Sequence, residues 1–389
     1  MRVGLDGYPL AEPRTGVGHY TLELARALAL ISPKDHFELV SPAPFEAEVL
    51  DELNRDRLPN LTTIKAKSSS IRGHWWAVGL PLYARRATFD LFHGTNYEVP
   101  LWNSRRTVVT IHDLSALLYP EKHLARLARR ARRRLPVIVK LASAIITPTE
   151  GIKREVCEHL RVRANKVTAI HSAPRSCFQP MAFAQTEKTR KRFGIENDFL
   201  LFVGTLEPRK NLLTLLKAFE QILRHTSFRP QLVIAGGEGW LMEEMFSFID
   251  KAGISDRLLM TGYLSDDDLR ALYSSCTAFI YPSLYEGFGF PPLEAMACGA
   301  PVIAGRVSAL EETLGSAAIL IEPLDVEALA TSIAKLLADE KQRHHLASGG
   351  PQLARKFSWE RTALLTLDVY RDLMRKRTNP KNSLRVSLP

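Results

Sequence analysis

Short apolar runs alternate with longer amphipathic patterns along most of this 389-residue chain, in two successive series. Such runs, bounded by turn residues, predict buried strands, and the patterns between them predict helices. Strands that alternate with helices form parallel sheets, because a parallel connection must cross back over the sheet. The first series of predicted strands is Arg2–Asp6, Phe37–Val40, Leu61–Ile64, Leu91–Phe92, Thr107–His112, Ala144–Thr147 and Val167–Ile170. The second series is Phe199–Val203, Gln231–Ala235, Leu258–Thr261, Ala278–Tyr281, Val302–Ala304 and Ala318–Ile321.

Residues 173–197 separate the two series. They contain Pro174, Pro180 and the charge run Lys188–Arg192, a composition typical of a connection between domains. The sequence therefore predicts an α/β protein with two doubly wound, Rossmann-like domains, 1–180 and 195–358, that face each other across a central cleft. A last helix, 359–376, follows the second domain.

The stretch Tyr281–Ala304 contains two candidate acids, Glu286 and Glu294, on either side of Gly287-Phe288-Gly289. It predicts a strand, a glycine turn, a helix of small residues, a second turn and another strand. The glycines let the backbone approach a ligand closely, and the amides of a helix N-terminus favour anions and ligand oxygens. Glu294 on the helix can accept a pair of hydrogen bonds from a ribose diol. The pattern outlines a nucleotide-sugar site, and the alternative is an ordinary strand–helix–strand unit with a tight turn.

This stretch resembles the donor-site motif of the retaining GT-B glycosyltransferases, the glycogen-synthase and sucrose-synthase-like group that includes bacterial mannosyltransferases of glycosyltransferase family 4. The resemblance implies that the second domain binds the nucleotide sugar, that the first binds the acceptor, and that the last helix crosses back to the first domain. It also implies that Glu286 and the Gly287-Phe288-Gly289 amides bind the transferred sugar, and that Glu294 binds the nucleotide ribose.

The segment Gly204–Asn211 follows the first predicted strand of the second domain and places two cations at the start of a helix. Arg209 and Lys210 at a helix N-terminus suit a diphosphate, although a solvated helix start would look the same. The segment resembles the family's diphosphate-binding segment, which implies that both residues stabilise the leaving diphosphate. Many members have Gly-Arg where this chain has Gly204-Thr205. The role of the missing arginine is therefore either taken by Arg209 or not filled in this chain.

Three further segments resemble ligand-binding loops of the same family. Gly16 and Gly18 lie between the first strand and its helix, where backbone amides can reach a phosphate or sugar oxygen; a plain turn is the alternative. His112 ends a buried strand, and although a lone histidine is more often structural, the resemblance implies that it hydrogen-bonds the transferred sugar. Gly262 and Tyr263 are implied to lie against the base, unless their loop merely reverses the chain.

The basic excess of the chain lies in its first half. Residues 1–190 carry 29 Lys and Arg against 18 Asp and Glu, whereas residues 191–389 carry 23 against 24. Six arginines between Arg126 and Arg134 share an amphipathic helical pattern with leucines, which predicts contact with an anionic membrane surface. A solvated surface helix is the alternative. No nucleic-acid-binding module accompanies the arginines, so we expect no nucleic-acid partner.

The remaining composition predicts a cytoplasmic protein that holds neither a metal nor a cofactor. The four cysteines show no close-paired spacing of a zinc site or disulfide framework. The N-terminus is predicted to be a strand rather than a signal peptide, and no apolar run has the length of a membrane span. Asp266–Asp268 are better explained as the acidic first turn of a helix than as metal ligands.

These features predict a metal-independent, retaining glycosyltransferase that moves a sugar from a nucleotide-sugar donor to a saccharide or lipid-linked saccharide acceptor. The resemblance to bacterial mannosyltransferases of lipopolysaccharide assembly favours GDP-mannose as the donor, with UDP-glucose second. The arginine-rich helix would be consistent with an enzyme that acts at the inner face of the cell membrane. A sugar-nucleotide 2-epimerase of the same fold, a nucleic-acid-binding protein and a catalytically inactive partner subunit are the alternatives.

Overall fold

The computed structural model describes residues 1–12, 14–66, 75–101 and 106–375. Within these ranges the chain divides into two compact units. The first unit contains Met1–Leu114, Arg132–Ser172 and the described residues from Ser358 onward, and the second contains Ser115–Ala131 and Ala173–Phe357. The first unit differs from the predicted domain 1–180 because residues 115–131 and 173–180 pack with the second unit. Residue 376, the predicted end of the last helix, lies outside the described ranges.

The first unit is built on a parallel sheet with seven strands among the described residues. In spatial order they run β3-β2-β1-β4-β5-β6-β7, so the strand order reverses between β1 and β4. The strands are β1 (Arg2–Asp6), β2 (His36–Ser41), β3 (Leu61–Lys65), β4 (Leu91–Gly94), β5 (Arg106–Thr110), β6 (Ala144–Thr147) and β7 (Val167–Ala169).

The second unit is built on a parallel sheet with six strands in the described part of the chain. Its spatial order is β10-β9-β8-β11-β12-β13, which places the reversal between β8 and β11. Open parallel sheets bind ligands at the carboxyl ends of the strands at such a reversal point. The strands are β8 (Phe199–Val203), β9 (Gln231–Ala235), β10 (Leu258–Gly262), β11 (Ala278–Tyr281), β12 (Val302–Gly305) and β13 (Ile319–Ile321).

Helices connect the strands and follow the predicted alternation. Their apolar residues recur at helical spacing, as in the helix Leu212–His225, which buries Leu215, Leu216, Phe219 and Ile222. The helices are α1 (Gly16–Ile31), α2 (Ala47–Asp56), α3 (Leu80–Arg86), α4 (Ser115–Leu118), α5 (Ala125–Leu141), α6 (Glu150–His159), α7 (Phe183–Arg192), α8 (Leu212–His225), α9 (Glu243–Ala252), α10 (Asp266–Ser275), α11 (Phe290–Ala297), α12 (Ser308–Leu314), α13 (Val326–Ala338), α14 (Glu340–Ala354) and α15 (Trp359–Arg375).

The two central strands of the second sheet are deeply buried. The side chains of Phe199–Phe202 in β8 and of Ala278–Tyr281 in β11 are fully inaccessible. A parallel sheet is covered on both faces, which explains why these strands read as continuous apolar runs. Burial of each large apolar side chain contributes about 1.5–3 kcal/mol. The loops that leave the ends of β8 and β11 therefore start from firmly held positions.

The structure confirms the predicted fold class of two parallel α/β sheets, and the local differences include the end of β5 and the connection between the predicted domains. The strand predicted for Thr107–His112 ends at Thr110, so His112 lies on the connection that follows β5. The predicted connection 173–197 contains α7, whose last turn holds the charge run and whose Arg192 pairs with Asp268 of α10. No helix within the described ranges is both long enough and apolar enough to cross a bilayer.

Candidate active site

The candidate active site is formed by the segments that follow β8 and β11, the strands at the reversal point of the second sheet. One segment leads to Arg209 and Lys210, and the other leads to Glu286. A backbone hydrogen bond joins them, because the N–H of Leu284 donates to the carbonyl oxygen of Arg209 at 2.9 Å. The topology thus brings together Lys210 and Glu286, which are 76 positions apart in the sequence.

A short turn holds Lys210 at the start of α8. Pro208–Lys210 form a single 3₁₀ turn, after which Asn211 adopts the left-handed conformation with a φ of 59°. Asparagine tolerates this conformation because its side chain can hydrogen-bond nearby groups. Its amide donates to the carbonyl oxygens of Pro282 at 3.0 Å and Pro323 at 2.6 Å, and its Oδ1 accepts from Thr214 at 2.8 Å. Asn211 therefore ties the turn to two neighbouring loops.

Lys210 and Glu286 form the central ion pair of the site. Lys210 Nζ donates to Glu286 Oε1 at 2.7 Å and to the hydroxyl of Tyr281 at 2.6 Å. Arg209 Nη1 lies 3.3 Å from the same Oε1 and donates to the carbonyl oxygen of Tyr285 at 2.7 Å. Lys210, Glu286 and Tyr281 are buried, and the Arg209 side chain is only 13% exposed. Four functional groups thus converge in a space with little access to water.

The charges of this cluster shift one another's pKa values. Burial raises the pKa of the Glu286 carboxyl, but Lys210 and Arg209 outweigh burial and bring that pKa to about 2. Burial and the nearby Arg209 lower the pKa of the Lys210 ammonium, while Glu286 and Glu207 oppose this shift. Glu207 also pairs directly with Arg209. Two cations face two carboxylates, so an anionic ligand must compete with Glu286 for them.

The turn between β11 and α11 requires glycine at position 289. Gly289 has a φ of 92°, and a Cβ there would lie 2.4 Å from Leu310 Cδ2, so another residue would be both strained and obstructed. Phe288 is buried, and its ring packs against Phe290 and Phe357 with centroids 5.1 and 5.9 Å apart. The ring therefore anchors the turn, and the predicted contacts of Gly287-Phe288-Gly289 with a sugar could involve only the backbone.

Glu294 lies on α11 and is held separately from the Lys210 cluster. Arg175 Nε donates to its Oε1 at 2.9 Å, and Arg175 Nη2 lies 3.5 Å from its Oε2. Arg175 Nη1 also donates to Asp266 at 2.6 Å, and the guanidinium lies 4.5 Å from the centroid of Phe178. Burial alone would lower the pKa of Arg175, but the two carboxylates raise it above its ordinary value. The predicted ribose ligand is therefore held in a fixed orientation by its ion pair with Arg175.

The loops that follow β9 and β10 are joined by their backbones. Gly236 N–H donates to the carbonyl oxygen of Gly262 at 2.8 Å, and Gly262 has a φ of 70°. The next side chain, Tyr263, is 67% exposed. An exposed aromatic ring offers a face on which a base can stack. The geometry is compatible with the predicted base contacts of Gly262 and Tyr263, which stay predictions.

In the first unit, His112 is half-buried on the connection after β5. Its Nε2 lies 2.7 Å from the carbonyl oxygen of Thr95, which can only accept a hydrogen bond, so Nε2 carries the proton. The rings of Tyr20 and Tyr97 pack edge-on against the imidazole at 4.8 and 5.7 Å. Burial lowers the pKa of His112, although Thr95 and Asp113 oppose the shift. At neutral pH the imidazole is therefore uncharged and its Nδ1 is an acceptor.

A chain of buried polar groups connects Tyr20 to the last helix. The hydroxyl of Tyr20 lies 3.0 Å from Thr110 Oγ1, and His93 Nε2 lies 2.8 Å from the same oxygen. His93 Nδ1 then contacts the hydroxyl of Tyr370 in α15 at 2.6 Å. Burial lowers the pKa of His93 to about 3, so this ring is neutral as well. The network fixes Tyr20, which in turn packs against His112.

Gly16 and Gly18 occupy different environments at the start of α1. Gly16 is exposed as the first residue of the helix. Gly18 is buried, and a Cβ there would lie 3.0 Å from the carbonyl oxygen of Pro9. Close packing therefore accounts for glycine at position 18. The ligand contacts predicted for both residues stay predictions.

Asp266–Asp268 form the first turn of α10. Ser265 caps the helix by accepting from the Asp268 N–H at 3.3 Å. Asp266 binds Arg175, and Asp268 binds Arg192. Across the described ranges, no three His, Cys, Asp or Glu side chains are grouped as ligands for a metal ion.

Four residues of the site were not apparent from the sequence: Glu207, Asn211, Tyr281 and Arg175. Glu207 and Asn211 flank the two predicted cations, which was an available signal. Tyr281 ends a buried strand that leads into the site, a position where a hydroxyl can face a ligand. Arg175 gave no signal, because it lies 119 positions from Glu294 in the connection between the domains.

Comparison with known proteins places these features in a family. Glycosyltransferase Family 4 matches residues 14–173, and Glycosyl transferases group 1 matches residues 185–353. The O-antigen chain mannosyltransferase B of Escherichia coli is 29% identical over 389 residues, which cover 95% of this chain and 100% of that protein. The two family matches adjoin at the connection between the predicted domains.

Two solved structures share the fold at low sequence identity. Sucrose-phosphate synthase from Thermosynechococcus elongatus gives a TM-score of 0.77 at 22% identity and covers 96% of this chain and 99% of that one. Anabaena HepE, solved in complex with UDP-glucose, gives 0.74 at 19% identity and covers 95% and 99%. The chain belongs to the family 4, group 1 glycosyltransferases, a retaining family with the GT-B fold, and is related to bacterial O-antigen mannosyltransferases.

Proposed function

We propose that this enzyme transfers mannose from GDP-mannose to a saccharide or lipid-linked saccharide acceptor, with retention of the anomeric configuration, during assembly of a cell-surface polysaccharide. The observation that carries the proposal is the buried pair of cations, Arg209 and Lys210, facing Glu286 at the reversal point of the second sheet. The relationship to the E. coli O-antigen chain mannosyltransferase B supports mannose as the sugar.

Arg209 and Lys210 act on the leaving group. When the bond between the sugar and the diphosphate breaks, negative charge accumulates on the diphosphate oxygens. Two preorganised cations in a site with little water stabilise that charge strongly, because they need not reorient as the charge develops. They thereby supply the electrostatic stabilisation that a divalent metal supplies in other transferases, and we expect no metal requirement.

Glu286 and Glu294 recognise the hydroxyl groups of the donor. Both are buried acids paired with cations, and a sugar hydroxyl or ribose diol supplies the hydrogen-bond donors that carboxylate oxygens accept. Glu286 binds the transferred sugar after the diphosphate has drawn Lys210 and Arg209 away from it. Glu294 binds the ribose while Arg175 holds its orientation, and the loop of Gly262 and Tyr263 lies against the base.

His112 contacts the transferred sugar as a hydrogen-bond acceptor. Its Nε2–H is committed to the Thr95 carbonyl oxygen, which leaves Nδ1 to accept from a hydroxyl. No covalent nucleophile is required, because the acceptor hydroxyl attacks from the face that the diphosphate leaves, and a donor phosphate oxygen takes its proton. A closed site that excludes water protects the donor from hydrolysis during this step.

UDP-glucose is the second candidate donor. The observation in its favour is the likeness to Anabaena HepE, which was solved with UDP-glucose. The donors differ in the base and in the configuration at the sugar's C2. Contacts through the backbone of Gly262 carry no side-chain signature for a base, so a direct comparison of the two donors decides between them.

We further propose that α5 holds the enzyme at an anionic membrane surface on its cytoplasmic side. Five arginines of this helix are exposed: Arg126, Arg129, Arg130, Arg132 and Arg133. The apolar side chains of Leu127, Val137 and Leu141 are exposed on the same helix, at 37%, 48% and 42%. Each basic residue near an anionic leaflet contributes about 1 kcal/mol. The proximity would serve a lipid-linked acceptor, and a solvated surface helix is the alternative.

The test is a transfer assay with purified enzyme, a membrane extract as acceptor source, and either GDP-mannose or UDP-glucose carrying a labelled sugar. We expect incorporation from GDP-mannose that persists in EDTA, and an α-linked product by NMR. Lys210→Met should lower the incorporation of labelled sugar about a hundredfold. Lys191→Met, a change on the exposed surface of α7, should leave incorporation unchanged. Inversion at the anomeric carbon, or activity that EDTA removes and Mg²⁺ or Mn²⁺ restores, contradicts the proposal.

A further inference from the structure

Tyr281 lies directly beside the Lys210 ammonium, and the roles proposed above do not explain this contact. Its side chain is fully buried at the carboxyl end of β11. Its hydroxyl oxygen accepts from Lys210 Nζ at 2.6 Å, a distance as short as the ion pair with Glu286. The Lys210 ammonium also lies 5.0 Å from the centroid of the Tyr281 ring. The contact is therefore made by both the hydroxyl and the ring.

These contacts determine the direction in which Lys210 can donate. An ammonium has three N–H donors in a tetrahedral arrangement. Tyr281 and Glu286 take two of them, so the direction of the third is determined by geometry. A lysine side chain is otherwise flexible and would lose conformational freedom when it bound a phosphate oxygen. Two donors are held in the empty site, and the one to Tyr281 is kept when the donor binds, so part of that loss has already occurred in the folded protein.

We infer that Tyr281 is a positioning residue, whose hydroxyl aims the Lys210 ammonium at the diphosphate of the donor. The inference rests on the proposed function, because it assigns Lys210 to that diphosphate. Glu286 is expected to exchange Lys210 for sugar hydroxyls when the donor binds. The Tyr281 hydroxyl carries no charge and does not compete with a phosphate, so it holds the ammonium through the reaction.

The packing of the Tyr281 ring does not by itself explain the hydroxyl. The ring lies between Phe202 and Phe279, with centroids 6.1 and 5.8 Å away and nearly parallel planes. Phenylalanine would fill the same space, since the two side chains differ only by the hydroxyl. Burial and the Glu286 carboxylate raise the pKa of Tyr281 well above its ordinary value. It is therefore a neutral phenol at every working pH and can always accept from Lys210.

Tyr273 in α10 provides a matched control in the same unit. It is also fully buried, and its ring also packs against aromatic rings, those of Phe178 and Phe279. Among the described residues its hydroxyl has no hydrogen-bond partner. Tyr273→Phe therefore removes a buried hydroxyl without removing a hydrogen bond to a described residue. A general effect of losing a buried hydroxyl would appear in both variants.

The experiment compares wild type, Tyr281→Phe and Tyr273→Phe in steady-state transfer with GDP-mannose as the varied donor. We expect Tyr281→Phe to lower kcat about tenfold, the effect of one hydrogen bond to a charged group. The KM for the donor should change less than kcat, because charge on the diphosphate grows in the transition state. Tyr273→Phe should match wild type. Equal kcat in wild type and Tyr281→Phe overturns the inference.

The pH profile separates positioning from a structural effect. The groups that face the Lys210 ammonium are Tyr281, Glu286, Arg209 and Glu207. Removal of the Tyr281 hydroxyl takes away an acceptor that favours the charged ammonium. The alkaline limb of kcat should therefore move to lower pH, by about one unit for a tenfold effect. A lower kcat with an unchanged alkaline limb would mean that Tyr281 acts through the fold or through Glu286, with which it also interacts, and would overturn its action on Lys210.

A double variant keeps the inference testable if Tyr281→Phe folds poorly. Tyr281→Phe combined with Lys210→Met removes both partners, so no buried ammonium loses its acceptor. If Tyr281 acts only through Lys210, the double variant should bind GDP as Lys210→Met alone does in calorimetry. Weaker binding by the double variant overturns the inference. If wild type itself neither binds GDP or UDP nor transfers a sugar, the proposed function fails, independently of Tyr281.

Discussion

The change Glu286→Gln tests how the empty site is held together. In the free enzyme the Glu286 carboxylate contacts Lys210 at 2.7 Å and Arg209 at 3.3 Å, and its pKa is about 2 against an ordinary 4.5. One pKa unit corresponds to about 1.4 kcal/mol, so this difference corresponds to a stabilisation of about 3 kcal/mol. Glutamine keeps the shape of the side chain and removes the charge that produces the stabilisation.

We expect Glu286→Gln to lower the free energy of unfolding by about 3 kcal/mol at pH 7, measured by urea unfolding. The pKa of Glu286 is lower in the folded chain than in the unfolded chain. Its contribution is therefore complete above pH 4.5 and is lost as the pH falls towards 2. The difference between wild type and variant should accordingly shrink from pH 4.5 downward. Glu311→Gln removes an exposed pair with Arg306 and, as a control, should cost under about 1 kcal/mol.

The same variant should bind a nucleoside diphosphate more tightly while it transfers sugar more slowly. Wild-type Glu286 competes with the diphosphate for Lys210 and Arg209, and glutamine competes less. We expect the affinity for GDP, measured by calorimetry, to rise about tenfold, which corresponds to about 1.4 kcal/mol. This gain is smaller than the stabilisation of about 3 kcal/mol given above, because glutamine can still accept a hydrogen bond from the two cations. Transfer should fall about a hundredfold, since the sugar loses a charged acceptor. Weaker GDP binding, or wild-type stability at pH 7, would refute this account of Glu286.

Two further predictions concern the first unit and α5. His112→Phe keeps a ring between Tyr20 and Tyr97 but removes the Nδ1 acceptor. The rate of sugar transfer should therefore fall about tenfold, while the affinity for GDP stays unchanged. If the variant transfers sugar at the normal rate, the role of His112 is structural. Wild type should pellet with anionic liposomes at low salt, and screening over about 8–10 Å should release it at higher salt. A variant with Arg129, Arg130, Arg132 and Arg133 changed to Gln should stay in solution, unlike a control with Lys188, Lys191, Arg224 and Arg306 changed to Gln. Equal sedimentation of the two variants would make α5 ordinary surface.

The strands could be predicted because they are buried on both faces. β8 reads Phe-Leu-Leu-Phe-Val and β11 reads Ala-Phe-Ile-Tyr, and these runs gave the observed ends of both strands. The prediction was less accurate at β5, where the apolar run continues past the last residue of the strand. Ile111 is buried beyond the end of β5, so hydrophobicity alone extended that strand to His112. Hydropathy reports burial, and burial does not end where sheet pairing ends.

Pairings between distant side chains could not be predicted, because they depend on the spatial order of the strands. The reversal between β8 and β11 makes Lys210 and Glu286 neighbours, and the family resemblance, not the spacing, had joined them. The Arg175–Glu294 pair and the His93–Tyr370 contact span 119 and 277 positions. Ser115–Ala131 belong to the second unit, in which Trp240 Nε1 donates a hydrogen bond to the Lys122 carbonyl oxygen. Nothing in either local sequence predicts that contact.

On the proposed function, the exchange of partners at Glu286 would give the site a means of distinguishing donor from product. In the empty site Glu286 neutralises Lys210 and Arg209. A diphosphate that takes those cations leaves a buried carboxylate in need of new hydrogen-bond donors, and an unsatisfied buried charge is costly. A nucleotide sugar brings its own hydroxyls to Glu286, whereas a nucleoside diphosphate brings none. If Glu286 binds the sugar as proposed, the acid that pairs with both cations in the empty site favours the complete donor and weakens the hold on the product, so product release and sugar recognition would depend on the same side chain.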